Sequence, residues 1–243
     1  MTDTNILCPS CFSTKRNFLS VYPGDFLCCT ELYQCECCEL IYCFDIPSSE
    51  DLFKYYSGGF YYDQVSDPFH LHVLEYSKKL SLSRLDLIEN ETDILVHKCK
   101  IIDIGSGNAS FGIVLKTIKD YITYDVVEPD EKVRAKYGEW VNRQYSDITN
   151  VERNDYDIAL VNHVLEHLPN PGDFLQSISK LLVAKGYIYI EVPYKDYLYK
   201  PSVEPHLLFW NHKSISSLLE RIGLKPVFCE TAGMPHTQAK RFF

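Results

Sequence analysis

The sequence predicts an α/β protein in which a doubly wound, mostly parallel sheet follows a small cysteine-rich segment. Short apolar stretches alternate with helical stretches over residues 100–243, and this order builds a parallel sheet with helices on both faces. An apolar strand at residues 101–104 runs directly into a turn with two glycines, as strands do beside the ligand crevices of such sheets. The chain has 10 cysteines, and most of them lie before residue 44, which sets this part of the chain apart.

The overall composition is that of an ordinary globular protein. The chain of 243 residues is 46% hydrophobic and carries a formal charge of −9, which suits one large domain with a small appendage. The acidic balance argues against binding to nucleic acid or to anionic membranes, because both depend on Lys and Arg. No stretch approaches the roughly 18 apolar residues of a membrane span, and the polar first residues do not resemble a signal peptide. We therefore expect a cytoplasmic protein without membrane contact, either a monomer or a homodimer.

The cysteine spacing predicts a metal site in residues 1–48. Cys8-Pro-Ser-Cys11 and Cys35-Glu-Cys-Cys38 are two C-x₂-C pairs separated by a loop, which is the pattern of a zinc ribbon. The predicted zinc ligands are Cys8, Cys11, Cys35 and Cys38. Four thiolates close a tetrahedral site with no open position, so this zinc would be structural. Cys37, Cys28 and Cys29 are competing ligands, and a set of buried free thiols is the alternative to a metal site.

Residues 49–99 are predicted to form a helical connector. The aromatic stretch Tyr55–Tyr62 is broken by two glycines, and it suits either a lid or a wall of an acceptor pocket. Packing of the cysteine-rich segment against the main domain explains the same aromatic residues equally well. Tyr194 is a further candidate for the acceptor wall. The leucine spacing over residues 69–90 predicts a pair of helices.

Polar side chains in residues 100–243 follow the predicted strands at the edge where parallel sheets bind ligands. The predicted strands are residues 101–104, 121–127, 141–145, 155–162, 186–192 and 225–230. The turn Asp103-Ile-Gly-Ser-Gly107 allows a ligand to approach the backbone closely. Glu128 ends the second strand, where a carboxylate accepts both ribose hydroxyls of a nucleoside. Asp147 is placed to accept from an adenine amino group, with Ile148 against the ring face.

Four segments together resemble a class I methyltransferase that depends on S-adenosylmethionine (SAM). They are Asp103–Gly107, Glu128, Ser146–Ile148 and Asn162–Pro171. The resemblance covers almost the whole chain. The chain is similar to a particular branch of these methyltransferases, which carries an N-terminal cysteine knuckle pair. This branch methylates sugars or related metabolites in bacterial surface-polysaccharide and natural-product pathways. It implies a seven-stranded Rossmann-like sheet with SAM as cofactor. The implied cofactor residues are Asp103, Gly105, Ser106, Gly107, Glu128, Pro129, Asp147, Ile148, Asn162 and His163.

The candidate catalytic residues are two histidines and a glutamate. Glu204-Pro-His206 resembles the Glu-His pair of sugar C-methyltransferases, although a proline here separates the two residues. His206 is the first candidate for the general base that takes a proton from the acceptor, and His163 is the second. Glu204 is a candidate to orient His206, whereas His167 is interpreted as a histidine that hydrogen-bonds within the fold.

The predicted function is therefore SAM-dependent O-methylation of a sugar, a nucleotide sugar or a capsule or surface-polysaccharide intermediate. The chain ends at Phe243, without the second C-terminal domain of the sugar C-methyltransferases, which favours oxygen over carbon as the methylated atom. The partner is expected to be a small-molecule acceptor. Three alternatives remain: a sugar C-methyltransferase, an RNA or protein methyltransferase guided by the ribbon, and a non-catalytic SAM-binding scaffold.

Overall fold

The structure is a computed structural model, and its strands and helices fall into two sheets with flanking helices. It describes residues 6–21, 31–44, 46–58, 67–94, 98–118, 122–198 and 206–232. The strands are β1 (Arg16–Val21), β2 (Glu31–Cys35), β3 (Ile41–Cys43), β4 (Lys100–Ile104), β5 (Thr123–Val127), β6 (Arg143–Tyr145), β7 (Tyr156–Asn162), β8 (Leu182–Glu191) and β9 (Leu208–Phe209). The helices are α1 (Ser49–Ser57), α2 (Leu71–Glu91), α3 (Ser110–Ile118), α4 (Glu131–Arg134), α5 (Pro171–Ser179) and α6 (His212–Arg221).

The larger sheet is parallel and has the order β6-β5-β4-β7-β8. Strand β4 lies in the middle of the sheet. Its isoleucines Ile101, Ile102 and Ile104 are buried, as expected for a strand covered on both faces. The chain proceeds from β4 to β5 and β6 on one side and then crosses to β7 and β8 on the other. The strand order therefore reverses between β4 and β7, which is where open parallel sheets bind ligands.

The smaller sheet is antiparallel, with the order β1-β2-β3-β9. Its first three strands come from the cysteine-rich segment, and its fourth, β9, comes from the chain that follows the large sheet. Arg221 on α6 donates from Nε to the carbonyl oxygen of Ser10 at 2.6 Å, and the Ser10 hydroxyl donates to the carbonyl oxygen of Ser214 at 2.7 Å. One buried core is shared by both sheets, so the segment packs directly on the main domain.

Two predicted elements differ from the structure. Residues 71–91 form one helix instead of two, because no glycine or proline interrupts them. The seven strands are not confirmed, since the described part of the parallel sheet has five and residues 225–230 form no strand. In that stretch Pro226 lacks an N–H to donate, and Val227 and Phe228 are exposed.

The two-residue strand β9 was not predicted, because so short an apolar stretch has no periodicity of its own.

Among the helices that the structure describes, none combines the length and the apolar character needed to cross a membrane.

Candidate active site

The glycine turn after β4 brings the backbone into the crevice between β4 and β7. Gly105 and Gly107 have φ values of +68° and +53°, a region that glycine adopts without strain. A Cβ atom on Gly105 would lie 2.6 Å from Val164 Cγ2. A side chain at position 105 would therefore push the glycine turn away from the loop that follows β7. A Cβ atom on Gly107 would meet nothing within 4 Å. The turn is therefore closed towards β7 and leaves open space beside Gly107 for a ligand.

Glu128 fixes this turn to the end of β5. Its Oε2 accepts from the Gly107 N–H at 3.0 Å, and its Oε1 accepts from the Asp130 N–H at 3.0 Å. Burial raises the pKa of Glu128 to about 7. Each oxygen of a carboxylate has two acceptor sites, so both remain able to accept from the hydroxyls of a ribose.

Two other predicted cofactor residues carry a buried oxygen with no hydrogen-bond donor in the described part of the chain. These atoms are Asp103 Oδ1 and Asn162 Oδ1. The second oxygen of Asp103, Oδ2, accepts from the Tyr124 hydroxyl at 2.5 Å, and burial raises the pKa of Asp103 to about 6. Buried polar atoms normally have a partner. Two such atoms near an open glycine turn fit a polar ligand such as SAM.

The remaining predicted cofactor residues line the same strand ends. The Ser106 hydroxyl lies 2.9 Å from the Tyr137 hydroxyl, which donates to the Gly107 carbonyl oxygen at 2.7 Å. Tyr137 was not predicted, because a lone tyrosine after a short helix carries no motif. Asp147 caps the turn Ile148–Asn150, and its Oδ1 accepts from the Thr149 N–H at 2.8 Å. Pro129 and Ile148 are half-buried.

His163 follows β7 and lies between two carboxylates. Its Nε2 lies 3.0 Å from Glu191 Oε1, and its Nδ1 lies 3.4 Å from Glu166 Oε1. Burial alone would lower the pKa of His163, but Glu166 and Glu191 outweigh it and raise the pKa to about 9. Arg84 on α2 donates to both oxygens of Glu191, at 2.8 and 2.7 Å. A chain of charges thus joins α2 to the end of β7.

A second group of polar side chains meets beside His163, and we call Glu166, His167 and His206 the Glu166 cluster. One ligand atom from each residue lies within 4.8 Å of the others. The Leu207 N–H donates to the Glu166 carbonyl oxygen at 2.7 Å, which holds the loop of His206 against the turn after β7. From the sequence, His167 is interpreted as a histidine that hydrogen-bonds within the fold, and its Nδ1 lies 2.9 Å from the Tyr56 hydroxyl. Its ring also lies 4.8 Å from that of His206.

The partner of His206 is Asp196, a residue that the sequence did not single out. Asp196 Oδ2 lies 2.6 Å from His206 Nδ1. The two residues are separated by a stretch that includes Glu204, the predicted orienting residue, which lies outside the described residues. Within the described part of the protein, Asp196 is therefore the carboxylate in contact with His206 Nδ1.

The four predicted zinc ligands come together in the small sheet. Cys8 Sγ lies 3.5 Å from Cys38 Sγ, and Cys11 Sγ lies 3.5 Å from Cys35 Sγ. All four sulfur atoms lie within 4.8 Å of one another. Thiolates around a tetrahedral zinc with bonds of ~2.3 Å lie about 3.8 Å apart, so the arrangement fits this ion. Cys37 is exposed and contacts Ser13, whereas Cys28 and Cys29 lie outside the described residues, as do Gly59–Tyr62 of the aromatic stretch.

Comparisons with known proteins agree on the fold. Residues 72–227 match the family described as "Methyltransferase domain". No curated protein matches the sequence. A SAM-dependent methyltransferase from Leishmania major has a similar structure at a TM-score of 0.53 and 16% identity, and the match covers 72% of each chain.

Two other similar structures are more distant in shape. A SAM-dependent methyltransferase from Archaeoglobus fulgidus gives a TM-score of 0.47 at 19% identity, with 72% of this chain and 74% of that one covered. Coclaurine N-methyltransferase, bound to N-methylheliamine and SAH, gives 0.47 at 17% identity. In that match 71% of this chain spans 57% of the other protein. Because the family match spans well over half of the sequence, the chain belongs to this methyltransferase family.

Proposed function

We propose that the protein methylates a hydroxyl oxygen of a small molecule, namely a sugar, a nucleotide sugar or an intermediate of capsule or surface-polysaccharide synthesis. The observation that supports this most is the pair of Asp196 and His206, whose side chains lie 2.6 Å apart. A carboxylate that holds Nδ1 of a histidine sets the orientation of its ring, and a ring held this way is suited to accept the proton of a hydroxyl.

The cofactor is proposed to lie across the ends of β4 and β5, where it supplies an electrophilic methyl group when bound. Gly105 and Gly107 present backbone to it, and Glu128 accepts from its ribose hydroxyls. The full set of proposed cofactor residues is Asp103, Gly105, Ser106, Gly107, Glu128, Pro129, Asp147, Ile148, Asn162 and His163. Methyl transfer needs alignment more than covalent help, and holding two reactants in line contributes about 7–11 kcal/mol.

His206 is proposed as the base in preference to His163. Both ring nitrogens of His163 lie against carboxylates, Glu166 on one side and Glu191 on the other. This ring is therefore better suited to position groups at the end of β7 than to take a proton from an acceptor. The role of Glu204 in orienting His206 stays a prediction from the sequence.

The cysteine cluster is proposed to hold a structural zinc ion through Cys8, Cys11, Cys35 and Cys38. Three of these cysteines are buried and the fourth is half-buried, which leaves little room for a substrate. A closed site of this kind contributes folding free energy rather than chemistry.

The test is incubation of the protein with SAM and pools of nucleotide sugars and capsule precursors, followed by mass spectrometry for addition of one methyl group. In the variant His206→Ala we expect turnover to fall roughly 10²–10⁴-fold, the range for loss of a general base, with SAM affinity unchanged. His72→Ala, an exposed position on α2, is the matched control.

Three other outcomes would each redirect the proposal. Full turnover by the His206 variant would remove this residue from the role of base. Tight SAM binding without transfer to any acceptor would favour a scaffold. Salt-dependent affinity for RNA would favour RNA methylation.

A further inference from the structure

Glu166 is a buried carboxylate whose hydrogen-bonding capacity is not used. The residue has no exposed surface, and neither Oε1 nor Oε2 accepts a hydrogen bond within the described part of the protein. Burying a charged group is costly, and buried charges in proteins are paired or bind metals. His163 Nδ1, at 3.4 Å, pairs with Glu166 Oε1 without forming a hydrogen bond, so both oxygens can still accept from or bind a further ligand.

Two imidazole rings face this carboxylate. His167 Nε2 lies 3.8 Å from Glu166 Oε1. The ring of His206 lies edge-on to that of His167, with an angle of 72° between their planes. Glutamate with two histidines is a common donor set for divalent transition-metal ions in proteins.

The other nitrogen of each ring is already held from outside the cluster. His167 Nδ1 lies 2.9 Å from the Tyr56 hydroxyl, and His206 Nδ1 lies 2.6 Å from Asp196 Oδ2. Histidines that bind metals almost always engage their second nitrogen in this way, which fixes the tautomer and the direction of the ring. Nε2 is then the nitrogen that each ring offers to an ion.

We propose that Glu166, His167 and His206 bind a divalent first-row transition-metal ion, separate from the zinc of the cysteine cluster. With metal–ligand bonds of about 2.1 Å, neighbouring ligand atoms lie about 3.0–3.4 Å apart. The 3.8 Å between His167 Nε2 and Glu166 Oε1 closes to that distance through small rotations of the side chains. Three protein ligands leave coordination positions open, as in metal sites that take part in reactions.

The ion deepens the proposed function, and its role in turnover rests on that function. In the metal-bound protein the charge of the ion would favour transfer of the proton from an acceptor hydroxyl to bulk water, and His206 would act as a ligand. In the metal-free protein His206 keeps the role of general base given above. Asp196 and Tyr56 then orient the two ligand rings. A hard oxygen acceptor such as a sugar with neighbouring hydroxyls suits the open positions, whereas a carbon acceptor has no lone pair to offer.

The experiment is a titration of the tag-free, full-length protein with Mn²⁺ without SAM or acceptor, followed by electron paramagnetic resonance. Mn²⁺ favours oxygen and nitrogen ligands over thiolates, so it reports on this cluster while the cysteine site keeps its own ion. We expect one bound Mn²⁺ per chain. The variants Glu166→Gln and His167→Asn should each weaken binding at least about tenfold, and His212→Asn, an exposed histidine, should leave it unchanged.

Circular dichroism of each variant establishes that it is folded, and His206→Gln provides a third route if one of the other two is not. Wild-type protein that binds no Mn²⁺, Zn²⁺ or Co²⁺ beyond the zinc of the cysteines overturns the proposal. Equal Mn²⁺ binding by wild type and folded Glu166→Gln also overturns it, since Glu166 would then serve only as an ion-pair partner of His163. The readout needs no methyl transfer, so a failed search for an acceptor counts against the proposed function and leaves the cation site standing.

Discussion

Among the residues that the structure describes, two clusters of side chains could hold a metal ion, the cysteine cluster and the Glu166 cluster, and the two differ in ligand type and in how the chain assembles them. The cysteine cluster gathers four soft, mostly buried sulfur ligands from two tight turns. The Glu166 cluster combines a carboxylate and an imidazole from the turn after β7 with the imidazole of His206, which comes from a distant part of the chain. Closed sets of thiolates stabilise folds, whereas mixed sets at a crevice are suited to chemistry. The two proposals therefore set a structural site against a reactive one within the same protein.

The sharpest way to test this contrast is to remove one ligand from the cysteine cluster. Cys38→Ser should lose the proposed zinc ion and lower Tm on the order of 10 °C, because that ion would replace a core that this short segment cannot build alone. Thermal unfolding with elemental analysis of zinc measures both effects. Cys37→Ser is a control one position away, since Cys37 is exposed. Equal stability of the two variants would show that the cysteines act only as buried thiols.

The next largest effect is expected for Asp196, which contacts a member of the Glu166 cluster but does not belong to the cluster. Asp196→Asn keeps the shape of the side chain but removes the negative charge beside His206 Nδ1, and we expect turnover to fall about 10–100-fold. SAM affinity should stay the same, because Asp196 is not among the proposed cofactor residues. Steady-state kinetics with the acceptor found above separate kcat from KM. Asp173→Asn on the exposed start of α5 is the matched control, and an equal loss in both variants would contradict the role of Asp196.

A pH effect of about tenfold is expected at the cofactor end of the site. Because burial raises the pKa of Glu128 to about 7, this carboxyl is mostly protonated at pH 6 and mostly ionised at pH 8. A ribose that needs the ionised form should bind more weakly at the lower pH, by about a factor of ten. Calorimetric titration with SAM at the two pH values measures this difference.

The variants that accompany this titration separate Glu128 from other groups. Glu128→Gln should bind SAM more weakly at pH 8 and lose most of the pH dependence. Asp147→Asn, which removes a less buried carboxylate, should keep the pH dependence. A pH dependence that persists in Glu128→Gln would assign the titration to another group.

The smallest effect is expected for Tyr56→Phe. This change removes one hydroxyl, 2.9 Å from His167 Nδ1, and one hydrogen bond contributes about 0.5–1.5 kcal/mol. Turnover and Mn²⁺ affinity should therefore fall together by a few-fold. A change in SAM affinity of the same size would mean that Tyr56 also affects cofactor binding. Its effect would then not be specific to the Glu166 cluster.

The two clusters also differ in how far the sequence predicts them. The cysteines repeat a C-x₂-C spacing, so their meeting follows from local geometry alone. In the Glu166 cluster, the neighbours Glu166 and His167 come from the Leu-Glu-His segment that the sequence singled out, but their partner His206 lies far along the chain. The interpretation of His167 as a histidine that hydrogen-bonds within the fold did not include the meeting with His206, since a single sequence carries no record of which distant side chains meet.

The same limit explains what was missed around the cofactor end. Glycines 105 and 107 and Glu128 stand at predicted strand ends, and the parallel sheet brings them together as the register requires. Tyr124 and Tyr137, which contact Asp103 and Ser106, carry no spacing signal. Strand β9 was missed because its two residues gain their conformation from pairing with β3, and a pairing partner in another segment is invisible to local patterns.

Strand β9 has a consequence for how this chain can be recombined with its relatives. Leu208 and Phe209 pair with Tyr42 and Ile41, and Leu208 lies two residues after His206. A crossover near residue 48 would join one parent's first three strands to another parent's fourth, and would alter the support of the His206 loop. A chimera in which residues 1–48 are exchanged should therefore fold only when residues 206–221 come from the same parent. The two segments have to be exchanged together, although they lie far apart in the sequence.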